Sequence, residues 1–229
     1  MSEAQGKRYR YERKFVIRSH SRSETEGLIR LHPTRFVVHY PQRWVNNIYL
    51  DSPNWRHYAD NLSGTGERTK VRIRWYGDLQ PVTFPPLLEI KMRKGHVGTK
   101  ERFELPAPKV SESTSPDAWL SGLQSYKPGS RARLACLGLE PVIMNRYLRS
   151  YFISPDGAFR ITVDTGLSHY PFLGVSERLR QARKEDKVIL ELKYDAEHDP
   201  RVSEITGHLP IRPEKNSKYV SGVELLYGH

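Results

Sequence analysis

Six stretches of this chain place charged and apolar residues on alternate positions, the period expected of half-buried strands. Residues two apart share a strand face. Arg10, Glu12 and Lys14 therefore lie together, opposite Tyr11 and Phe15. Lys70, Arg72, Arg74 and Tyr76 oppose Val71, Ile73 and Trp75. Glu89, Lys91 and Arg93 oppose Leu88, Ile90 and Met92. Arg149 and Tyr151 oppose Phe152, and Arg160, Thr162 and Asp164 oppose Phe159, Ile161 and Val163. Glu191, Lys193 and Asp195 oppose Leu190 and Leu192. These stretches predict strands over Arg10–Ile17, Lys70–Tyr76, Leu87–Arg93, Val142–Ile153, Ala158–Leu167 and Val188–Tyr194.

Weaker patterns fill the remainder. Thr99–Leu105 is a further strand. Arg35–Tyr40 and Trp44–Leu50 read as two strands joined by a turn at Pro41. Ser21–Leu31 carries Ser and Glu ahead of its apolar residues and predicts a short capped helix. Asn54–Asn61, Asp117–Leu123 and Asp199–Leu209 are also helical in pattern, and Ser217–Leu226 reads as a strand or short helix. Pro106–Pro116, Lys127–Arg133 and Arg178–Lys187 are polar or basic connections. Many strands with few helices predict an α+β, mainly antiparallel fold, a closed barrel with helices packed outside. A flexible tail over residues 1–9 precedes a single domain over 10–229, a length at which barrels often form one unit.

Charge then changes the picture. Lys and Arg number 37 against 26 Asp and Glu, an excess of +11, so the chain expects an anionic partner. Taken singly, each charged face is an ordinary solvated one. Taken together, the faces are dominated by Arg and Lys, whereas solvent faces normally mix both signs. Like charges side by side on a sheet repel. A barrel that turns these faces inward around a phosphate-rich anion resolves the conflict, with Arg as a bidentate donor and Lys as a point charge. Carboxylates among phosphates then call for a divalent cation between them. Glu191, followed by Glu89 and Glu12, are the candidates. On spacing alone, Glu191 serves equally well as an ion-pair partner.

Other classes recede. The aromatics Trp75, Phe103, Phe152 and Phe159 fall mostly opposite the basic residues, which argues against a stacking nucleic-acid surface. The nine His show no ligand-like spacing, and His20, His39, His96 and His229 read as loop or solvated residues. The single cysteine, Cys136, reads as filler and fits a reducing cytoplasm. Met1–Arg10 is not a secretory signal, and no run approaches the ~20 apolar residues of a membrane span. A membrane-bound partner at the inner face stays compatible with this.

Several motifs resemble the VTC domain of polyphosphate polymerases. They are Lys70-Val-Arg72-Ile-Arg74-Trp-Tyr-Gly77, Leu88-Glu-Ile-Lys91, Lys100-Glu-Arg-Phe103, Asn145-Arg-Tyr147-Leu-Arg149-Ser-Tyr-Phe152, Arg160-Ile-Thr-Val-Asp-Thr165, Leu190-Glu191-Leu-Lys193 and Asn216-Ser217-Lys218-Tyr219. The resemblance spans Tyr11 to Gly222. It implies the triphosphate tunnel metalloenzyme (CYTH-like) superfamily and an eight-stranded tunnel barrel with a basic lumen. It implies that Lys14, Arg72, Arg74, Lys91, Arg149 and Arg160 act on the triphosphate. Lys100, Tyr147, Lys193, Ser217 and Lys218 would line the same path, and Glu191 would hold Mn²⁺ or Mg²⁺. Arg149 is preferred to Arg146 for its distance to Arg160. Arg10 stands where the wider superfamily has the first Glu of Glu-x-Glu-x-Lys, which suits the polymerase branch and weakens a metal role for Glu12. The implied reaction is transfer of the γ-phosphate of ATP to polyphosphate. Triphosphate hydrolysis and non-catalytic polyphosphate binding are the alternatives.

Overall fold

A computed structural model describes residues 10–79, 85–95, 97–105, 122–172 and 182–228. The strands are β1 (Arg10–Ile17), β2 (Val37–Asp51), β3 (Glu67–Tyr76), β4 (Leu87–Lys94), β5 (Val97–Glu104), β6 (Glu140–Ile153), β7 (Phe159–Pro171), β8 (Arg183–Glu185) and β9 (Val188–Asp195). The helices are α1 (Arg22–Arg30), α2 (Arg56–Ser63), α3 (Arg131–Ala135), α4 (Val202–Thr206) and α5 (Lys218–Tyr227), with a 3₁₀ helix over Ala196–Arg201. The fold is thus mainly antiparallel β with a few helices. None of the described helices is long and apolar enough to cross a membrane.

The strands hydrogen-bond in the order β1-β9-β7-β6-β2-β3-β4-β5, with β8 on β7. The closed eight-stranded barrel predicted from sequence is corrected here. β1 and β5 stand at the two ends of this order, and no ladder joins them among the described residues.

The described residues fall into two compact units. The first takes residues 10–42, Arg149–Thr165 and 186–216. Its core sets Phe15, Ile17, Ile161, Val163, Leu190 and Leu192 against Ile29 of α1 and Val202 and Ile205 of α4. The α1 helix starts as predicted: Glu24 N–H donates to Ser21 Oγ at 3.3 Å, and Ser21 N–H donates to Glu24 Oε2 at 2.6 Å. The second unit takes residues 43–148, 166–185 and 217–228. Ile48, Leu50, Val71, Ile73, Trp75, Leu88 and Ile90 form its main core, covered by Ala132 of α3. In both units the apolar rows of the alternating strands form these cores, and the charged rows lie on the opposite face, where Arg74, Glu89, Arg149, Asp164 and Glu191 are buried as well.

Other local expectations change. Pro41 does not turn the chain: β2 runs through it for 15 residues. Its register with β3 begins only at Val45, so the stretch around Pro41 lacks β3 as a neighbour and the missing N–H is tolerated. Lys127–Arg133 is a loop only to Ser130, whose Oγ accepts from Arg133 N–H and caps α3. The helix expected over Asp199–Leu209 opens earlier, as a 3₁₀ turn, and its α part ends at Thr206. Part of Arg178–Lys187 is strand β8. Ser217–Leu226 resolves to a helix, α5. The tail, the Pro106–Pro116 loop, most of the Asp117–Leu123 helix, His96 and His229 lie outside the described residues.

Candidate functional site

The first unit gathers one cluster of charge around Glu191. The register of β1 and β9 sets Lys14 across from Glu191 and Glu12 across from Lys193. On the other side of β9, β7 sets Thr162 across from Glu191 and Arg160 across from Lys193. Lys193 Nζ is 2.6 Å from Glu191 Oε2, Lys14 Nζ 3.7 Å from Oε1 and Arg149 Nη2 3.8 Å from Oε2. Lys14 also reaches Glu12, at 3.2 Å. The Glu191 side chain is 9% exposed. Burial alone would raise its pKa. Lys193, a hydrogen bond with Glu12, Lys14 and Arg149 outweigh that and hold it well below the usual carboxylate range. Glu191 is therefore charged.

Arg149 is already engaged. Its Nε and Nη2 donate to the two oxygens of buried Asp164, at 2.5 and 2.7 Å. This fork fixes the guanidinium on the charged side of β6, within reach of Glu191. Asp164 was visible in the sequence as a neighbour of Arg160 and Thr162, but its partner was not.

The donor set can be tested against a divalent cation. Glu191 and Glu12 supply hard oxygen ligands in contact with each other, and buried Thr162 Oγ1 has no hydrogen-bond partner. Among the described residues no group of three or more Asp, Glu, His or Cys could hold an ion by itself. One or two carboxylates completed by substrate phosphates is the way Mg²⁺ is usually held, so the residues fit an ion shared with a phosphate ligand.

The second unit carries a larger cluster, on β3, β4 and β5. Three registered rows cross these strands. Arg68 pairs with Arg93, Lys70 with Lys91 and Lys91 with Lys100, and Arg72 with Glu89 and Glu89 with Arg102. Glu89, 2% exposed, is the hub. Arg72 donates to its Oε2 from Nε at 2.9 Å and Nη2 at 2.6 Å. Lys100 lies 2.5 Å and Arg102 3.2 Å from its Oε1, and Arg74 lies 3.6 Å from Oε2. Burial would raise the Glu89 pKa, but Arg72, Arg74 and Lys100 outweigh it and hold it far below the usual range. Glu89 is thus the counterion of this cluster, with both oxygens occupied by cations.

Neutral groups aim the cations. Arg74 Nε donates to Asn47 at 2.7 Å and Nη2 to the Tyr147 hydroxyl at 3.1 Å. Arg72 Nη1 donates to the Tyr49 hydroxyl at 3.3 Å. Lys70 Nζ donates to Ser217 Oγ at 2.8 Å, and Lys218 Nζ lies 4.7 Å from the centre of the Tyr147 ring. Burial, then repulsion from Arg72, pushes the Lys100 pKa down to about 7 despite Glu89. The second unit therefore brings together Arg72, Arg74, Lys91, Lys100, Tyr147, Ser217 and Lys218. The first brings together Lys14, Arg149, Arg160, Glu191 and Lys193. Arg102, Tyr49 and Asn47 were missed in the sequence. Arg102 could have been found two residues beyond Lys100, on the same face.

Two features read as bland remain so. Cys136 packs against the second unit's core, and burial pushes its thiol up to about 11. Trp75, Phe152 and Phe159 are core residues.

Comparison with known proteins gives the family. The sequence matches the VTC domain over residues 9–227, so the chain belongs to the VTC domain family. A search of curated proteins found no match. Among solved structures, it is similar to a candidate adenylate cyclase of Vibrio parahaemolyticus, at 14% identity and a TM-score of 0.51, covering 93% of this chain and 98% of that one. A candidate adenylyl cyclase from Hippeastrum, described as having a dominant triphosphatase activity, aligns at 16% identity and 0.51, covering 93% and 95%. A Pyrococcus horikoshii protein aligns at 15% and 0.50, covering 93% and 99%. At these identities the likeness concerns the fold.

Proposed function

We propose that this chain is a polyphosphate polymerase, transferring the γ-phosphate of ATP to the end of a growing polyphosphate chain. The observation that carries the reading is the convergence of Arg72, Arg74, Lys100 and Arg102 on one carboxylate, Glu89, beside a registered row of three lysines. So much positive charge around one anion suits a ligand with several phosphates. The unbroken family match over residues 9–227 supports treating residues 10–229 as one functional domain.

In this reading a terminal oxygen of the acceptor chain attacks the γ-phosphorus, the bond to the β,γ-bridging oxygen breaks, and ADP leaves. The acceptor brings its own nucleophile, so the protein supplies position and charge. Lys14, Arg72, Arg74, Lys91, Arg149 and Arg160 hold phosphoryl oxygens and stabilise the charge that develops on them. Lys100, Tyr147, Lys193, Ser217 and Lys218 bind the flanking phosphates. Glu191, with Glu12 beside it, would hold Mn²⁺ or Mg²⁺, which when bound neutralises charge on phosphate oxygens. The single cysteine supports a cytoplasmic setting.

Glu191→Gln tests the assignment. With ATP and Mn²⁺, turnover should fall about a hundredfold or more; turnover at the parental rate would sink it. The competing reading is hydrolysis of inorganic triphosphate by the same residues, with water as acceptor. The triphosphatase activity described for the Hippeastrum protein motivates it. A binding module without turnover is the third reading, supported if triphosphate binds tightly without metal and is never converted.

A further inference from the structure

The charged face of β3 changes character along its length. Arg68, Lys70, Arg72, Arg74 and Tyr76 follow one another at every second position, so this row runs roughly 27 Å at ~3.4 Å per residue. Its middle is the Glu89 hub, where positive charge is partly balanced.

Toward the β4–β5 turn, at the far end of β3 from Tyr76, like charges face one another. Arg68 faces Arg93, and Lys70, Lys91 and Lys100 stand side by side on three adjacent strands. Burial, and after it the charge of Arg93, lowers the Arg68 pKa. Directly opposed like charges destabilise a sheet. An anion extending past the Glu89 hub would relieve them.

At the other end the row becomes aromatic. Tyr76 follows Arg74 about 7 Å further along the strand. Val45 is its registered partner on β2, and exposed Arg43, two residues before Val45, lays its guanidinium over the Tyr76 ring, 4.0 Å from the centroid. A planar cation stacked on a ring is a platform on which a nucleobase stacks well. At the other end of the row, Lys70 donates to the hydroxyl of Ser217.

We infer that this face binds its substrate in one direction, with the base of a nucleoside triphosphate at Arg43 and Tyr76 and the phosphate chain running past Lys70 and Lys91 to Arg68 and Arg93. The inference rests on the phosphate-binding reading above and deepens it. It assigns a nucleobase site and an extended phosphate lane at opposite ends of one row.

The test measures the affinity of the full chain for three ligands without added metal: the β,γ-imido analogue of ATP, inorganic triphosphate and long-chain polyphosphate. Arg43→Gln should lower the affinity for the nucleotide about tenfold relative to triphosphate. Tyr76→Trp, which keeps a ring in place, should preserve that ratio. The double variant Arg68→Gln, Arg93→Gln should lower the affinity for long-chain polyphosphate about tenfold relative to triphosphate. Equal losses for all three ligands in both variants would overturn the inference, because they would report bulk charge alone. A nucleotide loss in the Arg68/Arg93 variant with none in Arg43→Gln would overturn it too, by reversing the direction. Either result leaves the phosphate-binding reading intact. If the parent chain binds none of the three, that reading fails as well.

Discussion

Arg72 donates two hydrogen bonds to a single oxygen of Glu89, while Lys100 and Arg102 hold the other. Glu89 is buried and central to four cations, so the charge of the whole face depends on it. Glu89→Gln should cost about 3 kcal/mol, the low end for breaking a buried ion pair, because Arg72, Lys100 and Arg102 keep some access to solvent. Urea denaturation reads the loss. Added triphosphate should raise the melting temperature of the variant more than that of the parent, since it replaces the missing charge. An unchanged stability would show that Glu89 is not the hub.

Lys100 ties the same face to pH. Its pKa is pushed down to about 7 in the fold, against an ordinary 10.5. Between these values the folded chain binds fewer protons than the unfolded one, so this group makes stability rise with pH across that window. An arriving polyphosphate favours the charged lysine and should draw a proton onto it. At pH 8, triphosphate binding should be accompanied by proton uptake, seen as a dependence of the calorimetric heat on the buffer's ionisation enthalpy. Lys100→Met should abolish the uptake, and uptake persisting in that variant would assign it elsewhere.

Gly222 governs how α5 lies in the second unit. A Cβ there would come within 2.4 Å of His169 Nδ1 and 2.6 Å of Ile143 Cδ1. Alanine favours a helix interior by about 1 kcal/mol over glycine. Overpacking of this kind costs about 1–3 kcal/mol or more, so Gly222→Ala should destabilise. The same helix carries Lys218 and is capped by Ser217, so the substitution should also weaken triphosphate binding. A stabilised variant would mean that α5 does not pack in this way.

Much of the candidate site was legible because a strand's period of two decides which residues share a face. Lys70, Arg72 and Arg74 needed nothing more. What escaped was information that exists only between strands. Asp164 becomes the partner of Arg149 through the neighbouring strands β6 and β7, and Glu89 becomes a hub only when β3 and β5 flank β4. The like-charged rows Arg68–Arg93 and Lys70–Lys91–Lys100 likewise follow from register. The closed barrel was an extrapolation from strand number, and strand number does not decide whether the first and last strands pair. Pro41 misled because its missing donor matters only where a neighbouring strand needs it. The α5 helix was ambiguous because Lys218–Tyr227 is short and mixes β-branched with helix-favouring residues.

The most direct test of the central claim is product analysis after incubating the full chain with ATP and Mn²⁺. The account predicts ADP together with a ladder of long-chain polyphosphate on a gel, and loss of both with Glu191→Gln. Orthophosphate with no chain longer than the substrate's own would contradict it and identify a hydrolase.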